Sequence, residues 1–288
     1  MHRTVLITDV DNTLFDWVDI WYRSFRAMLD EVCSISGLRE EELYQSISSI
    51  HQTHQTSEYA FLLEEVPELH SRYGDKTLEV LSPAIAAFRE ARREAMRLYP
   101  GVSETLEELR AKGIKIVAYT ESQEFYTQYR FRKLGLDQLI DYLYSPPDHE
   151  LPVDDVGALR KYDPERYEMK LTKQMHTPRG EVKPNPHILM SILDDLGVAP
   201  EQALYVGDSK MKDIAMAQGA GVLDAWAEYG QAQHREQYEL LKKVTHWTPA
   251  QVKREAEINS GRDVTPTHTL RDQFSEVLPF FTTSKVAS

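Results

Sequence analysis

Three consecutive β-forming apolar residues, Val5, Leu6 and Ile7, run straight into Thr8-Asp9-Val10-Asp11-Asn12-Thr13. A short strand that is apolar on both faces belongs in the middle of a parallel sheet covered by helices. Its carboxyl end then carries two acids one residue apart. In open α/β sheets ligands bind just outside the carboxyl ends of the strands, so this placement marks a candidate reaction centre. Like charges this close call for a cation, and a hard, oxygen-ligated ion such as Mg²⁺ suits them. Read alone, the segment is equally a strand followed by an Asx-type turn, since Asp-Asn is ordinary turn material.

Beyond the first strand, residues 15–98 show helical spacing and little strand character: Trp21, Phe25, Met28, Leu29 and Val32, then Leu81, Ile85, Phe88 and Ala91. The chain then alternates. Leu106 and Leu109 mark a helix closing at Gly113, residues 114–119 a strand ending at Thr120, and residues 139–144 a strand after a helix that stops at Gly135. Asn185-Pro186 is an N-cap with proline at the first helical position, followed by an apolar face of Ile188, Leu189, Ile192, Leu193 and Leu196. A strand at 203–206 runs into Gly207-Asp208-Ser209, and a helix at 213–219 and a strand at 222–226 follow. This alternation predicts an α/β fold with a doubly wound, mostly parallel sheet. Residues 147–182 form a polar insertion of unusual length for a connection. Residues 228–262 are highly charged and helical in part, and Leu270, Phe274, Val277 and Leu278 suggest a last helix returning to the core.

Composition narrows the functional classes. Lys and Arg number 33 against 46 Asp and Glu, a net charge of -13, which disfavours nonspecific nucleic acid binding and anionic membrane surfaces. Any anionic substrate must be drawn by a local site. The single cysteine, Cys33, excludes an internal disulfide and reads as packing. No apolar stretch approaches the ~20 residues that span a bilayer, and the start of the chain passes directly into the first strand, so a soluble, cytoplasmic protein is expected. The oligomeric state is not legible.

Four positions coincide at strand ends or helix approaches: Asp9 with Asp11, Thr120, Lys183, and Asp208 with Asp213. Through Asp9-Val-Asp-Asn-Thr13, Thr120, Lys183-Pro184 and Gly207-Asp-Ser-Lys-Met-Lys-Asp213, the chain resembles the haloacid dehalogenase superfamily of phosphohydrolases. The resemblance covers about residues 5–226. It implies a Rossmann-like core of residues 1–16 and 99–288, with residues 17–98 as a mainly α-helical cap. It further implies a Mg²⁺-dependent phosphatase acting on a small phosphorylated metabolite. Asp9 would be the nucleophile, forming an aspartyl-phosphate, and Asp11 the general acid and then base. Asp9, the Asp11 backbone carbonyl and Asp208 would hold Mg²⁺ with support from Asp213, while Thr120 and Lys183 would meet the phosphoryl oxygens. Asn12, Thr13, Glu121 and Ser209 are candidate substrate contacts.

Bland readings stand beside these roles. Lys183 also reads as a solvated lysine, Thr120 as a strand-end turn residue and Asp213 as a helix N-cap. Two residues depart from the family pattern: Asn12 stands where glycine is commonest, and Glu121 where asparagine is more usual. Glu121 puts a negative charge near the expected phosphate, which motivates a weakly active phospho-ligand binding or regulatory protein as an alternative to the phosphatase. A phosphomutase using the same Asp9 is another. Trp17, Trp21 and Tyr22 either line a substrate entrance or pack a helix. Arg160, Lys161, Arg166, Lys170, Lys173 and Arg179 either meet an anionic substrate or lie on a solvated surface. The helical cap is expected to close over the site and exclude water.

Overall fold

A computed structural model describes residues 3–148, 164–232, 235–248, 250, 253 and 264–281. The chain divides into two compact units, one of Met1–Asp16, Arg97–Gln231 and Gly261–Ser288, the other of Trp17–Met96 and Ala232–Ser260.

In the first unit, strands β1 (Val5–Thr8), β2 (Lys115–Tyr119), β3 (Tyr142–Ser145), β4 (Lys173–His176), β5 (Ala203–Gly207), β6 (Leu223–Ala227) and β7 (His268–Leu270) form one sheet. The spatial order is β4-β3-β2-β1-β5-β6-β7, and every adjacent pair is parallel. The chain steps outward from β1 to β4, then restarts on the other side of β1 with β5. That reversal places the switch point between β1 and β5, and a doubly wound sheet opens a crevice there at its carboxyl edge. All of β1 and β5 is buried, as their apolar runs require. The Asp9 amide donates to the Val206 carbonyl at 2.8 Å and carries the β1–β5 pairing into the acidic segment.

The helix Pro186–Leu196 forms where expected, for identifiable reasons. The Asn185 side chain accepts from the amides of His187 and Ile188 at 3.1 and 3.4 Å, and the helix stops at Gly197 with φ 65°. Its Ile188, Leu189, Ile192 and Leu193 pack on Val5, Ile7, Val117 and Tyr205. Each such side chain contributes about 1.5–3 kcal/mol when fully buried.

Two strands were not anticipated, and both lie at sheet edges. Strand β4 sits inside the stretch read as a long polar connection, and its Lys-Gln-Met-His sequence has no fully buried residue. It starts where it does because the Asp137 carboxylate accepts the amides of Lys170, Leu171 and Thr172 at 2.8, 3.1 and 2.9 Å. Of the basic residues in that stretch, Lys173 lies on β4 over the Tyr142 ring, the Arg179 guanidinium meets the Asp148 carbonyl, and Arg160 and Lys161 lie outside the described residues. The terminal helix is a 3-10 helix, Phe274–Phe281, that buries Phe274, Val277 and Phe281, with Leu270 in β7 before it.

The second unit is helical, with Trp17–Ser36, Glu40–His54, Ser82–Ala95 and Glu236–Val244 among its helices. The last of these lies outside residues 17–98, the span expected for the helical cap. It buries Tyr238, Leu240, Leu241 and Val244 in the helical cluster, and the Val244 carbonyl lies 2.6 Å from His51 Nδ1. Trp21 stacks on Phe25 and donates to the Ser57 carbonyl at 3.0 Å, so it packs a helix. Trp17, Tyr22 and Cys33 are partly buried against the same cluster. Among the described residues no helix is long and apolar enough to cross a membrane.

Candidate active site

Asp9 leaves the carboxyl end of β1 and is buried. Its Oδ2 accepts from the Thr13 hydroxyl at 3.0 Å and its Oδ1 from Lys183 Nζ at 2.5 Å. Thr13 can reach back because the chain turns sharply, with the Thr13 and Leu14 amides both meeting the Val10 carbonyl at 3.3 and 2.9 Å. Asn12 has φ 60° in that turn. Asparagine enters the left-handed region more readily than other non-glycine residues, which explains why it can replace glycine here.

Asp208 extends from β5 on the other side of the switch point, and Asp213 follows one turn later. Carboxylate oxygens of Asp9, Asp208 and Asp213 all lie within 4.8 Å of one another, and all three residues are buried. Asp213 does not cap a helix. Ser209 does that, its side chain accepting from the Lys212 amide in front of a π-helical turn, Lys210–Ile214, that precedes the helix Ala215–Gly219. Asp213 Oδ1 accepts from Lys183 Nζ and from the Tyr205 hydroxyl, each at 2.9 Å, and Oδ2 from the Ser209 amide at 3.1 Å. The approach demands Gly207: a Cβ there would stand 2.3 Å from Asp213 Cγ.

Lys183 is buried, not solvated, and its ammonium has three acceptors: Asp9 Oδ1, Asp213 Oδ1 and the Tyr119 carbonyl at 3.2 Å. Burial alone would lower its pKa, but Asp213 and Asp9 outweigh it and hold the ammonium well above its ordinary value. Burial pushes the Asp9 carboxyl up to about 7 despite Lys183, with Asp213 and Asp11 adding to the rise. Burial and then the charges of Asp9 and Asp213 raise Asp208 well above the usual carboxylate range. Three crowded acids facing one ammonium carry an excess of negative charge, and their donor set is entirely hard oxygen. These residues fit a divalent cation of the Mg²⁺ type.

Asp11 lies beside this cluster. Its Oδ2 accepts from the hydroxyls of Thr120 and Ser122 at 3.1 and 2.6 Å, and the buried Arg130 guanidinium lies 3.7 Å from Oδ1. Thr120 itself is buried at the end of β2. Glu121 turns to other partners: Oε1 accepts the Lys183 amide at 2.8 Å and Oε2 the Lys212 ammonium at 2.7 Å.

The far wall comes from the end of β6. The Trp226 indole donates to the Asp208 carbonyl at 2.7 Å, and the Tyr229 hydroxyl donates to the Thr13 carbonyl at 2.8 Å. A Cβ at Gly230 would stand 1.9 Å from the Asn12 carbonyl oxygen, so only glycine lets this wall close on the acidic turn. Ser122, Arg130, Tyr205, Lys212, Trp226 and Tyr229 also belong to the site and carry no signal in the sequence. Each acts through a neighbour that only the fold supplies, and a lone arginine or tyrosine in a helix or strand carries no motif of its own.

A parallel doubly wound sheet with an acid-and-lysine cluster at its switch point defines an α/β enzyme built around strand-terminal aspartates. The chain belongs to the haloacid dehalogenase-like hydrolases: a model of that family matches residues 4–221. It is 26% identical over 82% of its length to a glyceraldehyde 3-phosphate phosphatase of Methanopyrus kandleri, covering 88% of that protein. It is 31% identical to a phosphoserine phosphatase of Thermus thermophilus over 56% of its length and 63% of the relative's. Among solved structures, a 2-haloacid dehalogenase from Pseudomonas syringae pv. tomato shares the fold with a TM-score of 0.52 at 20% identity, over 86% of this chain and all of that one.

Proposed function

We propose that the chain is a Mg²⁺-dependent phosphatase of small phosphorylated metabolites that works through an aspartyl-phosphate on Asp9. The observation that carries this reading is the meeting of Asp9, Asp208, Asp213 and Lys183 in one buried cluster. The two curated relatives above are named for phosphate monoesters of small molecules, which supports the substrate class.

Phosphate esters hydrolyse so slowly unaided that one acid or base, worth ~10²- to 10⁴-fold, cannot suffice. Covalent and electrostatic effects must combine. Asp9 attacks phosphorus in line, and the ester P–O bond breaks as Asp11 gives a proton to the leaving oxygen. Asp11 then takes a proton from water, whose oxygen attacks phosphorus as the P–O bond to Asp9 breaks, releasing inorganic phosphate and restoring the Asp9 carboxylate. Thr13 and Lys183 orient the Asp9 carboxylate; on substrate binding the Thr120 hydroxyl would turn from Asp11, and one Lys183 donor from its present acceptor, to the phosphoryl oxygens. A cation bound by Asp9, Asp208 and the Asp11 carbonyl, with Asp213 in support, would neutralise charge on the transferring group. Lys212 pairs with Glu121, which supports the phosphatase over a weakly active regulator.

Phosphate release from a panel of small monoesters is the test. Release with Mg²⁺ that stops with EDTA and returns with added Mg²⁺ is the expected result; phosphate binding without release, or release indifferent to EDTA, would overturn the reading. A stability measurement follows from the same acids. The Asp9 pKa rises on folding from 3.8 to about 7, so in the metal-free protein its contribution is full below pH 3.8 and lost as pH rises through about 7. The burial-raised Asp208 adds in the same sense. Saturating Mg²⁺ should therefore stabilise the fold more at pH 8 than at pH 5, as read by denaturant unfolding at ~10 mM Mg²⁺. An equal gain at both pH values would contradict the site.

A further inference from the structure

We propose that Glu121 and Lys212 form a charge-cancelling clasp that positions Lys183 and keeps the phosphate seat receptive to anions, a role that rests on the phosphatase reading above. Glu121 follows Thr120 at the end of β2, and its two carboxylate oxygens are divided between two other segments. One holds the Lys183 backbone amide at 2.8 Å, just before the helix Pro186–Leu196. The other holds the Lys212 ammonium at 2.7 Å, in the π-helical turn after β5. Lys183 is thus fixed at both ends, its amide by Glu121 and its ammonium by Asp9 and Asp213.

A single carboxylate next to Thr120 would repel an incoming phosphoryl group. Paired with Lys212, the same residue keeps its hydrogen-bonding geometry and loses its net charge. The pair is partly exposed, with the Lys212 and Glu121 side chains 34% and 25% accessible. Pairs of that kind add little to fold stability, so the consequence lies in the local field and in the placement of Lys183.

The test is a double-mutant cycle on the intact chain with Mg²⁺, reading kcat and KM for a hydrolysed monoester and, by calorimetry, the Kd for inorganic phosphate. Lys212→Met should raise KM and the phosphate Kd roughly three- to tenfold with kcat nearly unchanged. Lys212 also acts on Asp208, so the single variant does not decide the matter. Adding Glu121→Gln to Lys212→Met should return both constants to within about twofold of the wild type, because the glutamine carries no charge and still accepts the Lys183 amide. Glu121→Ala should lower kcat several-fold where Glu121→Gln does not; if the alanine variant fails to fold, the Lys212/Glu121→Gln cycle carries the test alone. Equal constants for Lys212→Met and the double variant would overturn the clasp. A wild type that binds phosphate with this pattern but releases none from any ester would contradict the phosphatase and leave the clasp standing. Turnover without the pattern would sink the clasp alone, and no phosphate binding by the wild type would sink both.

Discussion

Asp9→Asn should abolish ester turnover, by on the order of 10⁴-fold or more, without unfolding the chain. The amide is nearly isosteric with the carboxylate: its oxygen can keep the contact to Lys183, 2.5 Å away, while its NH2 donates to the Thr13 hydroxyl at the 3.0 Å position. It cannot attack phosphorus. The same substitution removes one of three crowded acids, whose carboxyl is already pushed up to about 7 by burial, so the metal-free variant should be at least as stable as the wild type. Turnover assays beside denaturant unfolding at pH 8 separate the two effects. Residual turnover near the wild-type rate would remove Asp9 as nucleophile; loss of activity with a large loss of stability would make it a structural residue.

Lys183→Met should be the most destabilising single change at this site. The ammonium is buried and spends its donors on Asp9, Asp213 and the Tyr119 carbonyl. Methionine fills similar volume but leaves two buried carboxylates with no counter-charge from that side. Breaking a buried ion pair in this way typically costs about 3–5 kcal/mol. The loss should be larger at pH 8 than at pH 5, because Asp9 and Asp208, both raised by burial, take up protons as pH falls. Saturating Mg²⁺ should recover part of the stability but not the activity, which should drop by roughly 10²- to 10³-fold for want of a donor to the transferring group. Denaturant midpoints with and without Mg²⁺ measure the first part. A variant as stable as the wild type without metal would show that the acids do not need this lysine.

The parts of this fold visible in the sequence share a physical cause. Strands β1, β2 and β5 are central, and burial on both faces forces the apolar runs from which they were read. Strands β4 and β7 are short edge strands with mostly polar, partly exposed side chains and Leu270 alone fully buried, so little in Lys-Gln-Met-His or His-Thr-Leu distinguishes them from a connection. The helix Glu236–Val244 was legible as a helix in part, but its allegiance to the helical unit depends on Tyr238, Leu241 and Val244 finding partners far away in sequence. At the site, Asp9, Asp11, Thr120, Lys183, Asp208 and Asp213 were legible because each stands at a strand end or a helix approach. Their division of labour was not. Thr13 holds Asp9, Ser209 caps a turn and Glu121 bridges two segments, contacts that depend on the fold and have no signature in the sequence. Arg130 is buried beside Asp11 in a helix with little apolar patterning, where a lone arginine reads as solvated surface.

The cation proposed for Asp9 and Asp208 can be sought directly by diffraction from crystals of the chain grown with Mg²⁺, with Mn²⁺ substituted for an anomalous signal. One ion should lie at about 2.0–2.3 Å from an oxygen of Asp9 and an oxygen of Asp208, with Lys183 still on Asp9. An ion bound elsewhere, or one held by Asp208 with the Asp9 carboxylate outside coordination distance, would contradict the reaction centre assigned here.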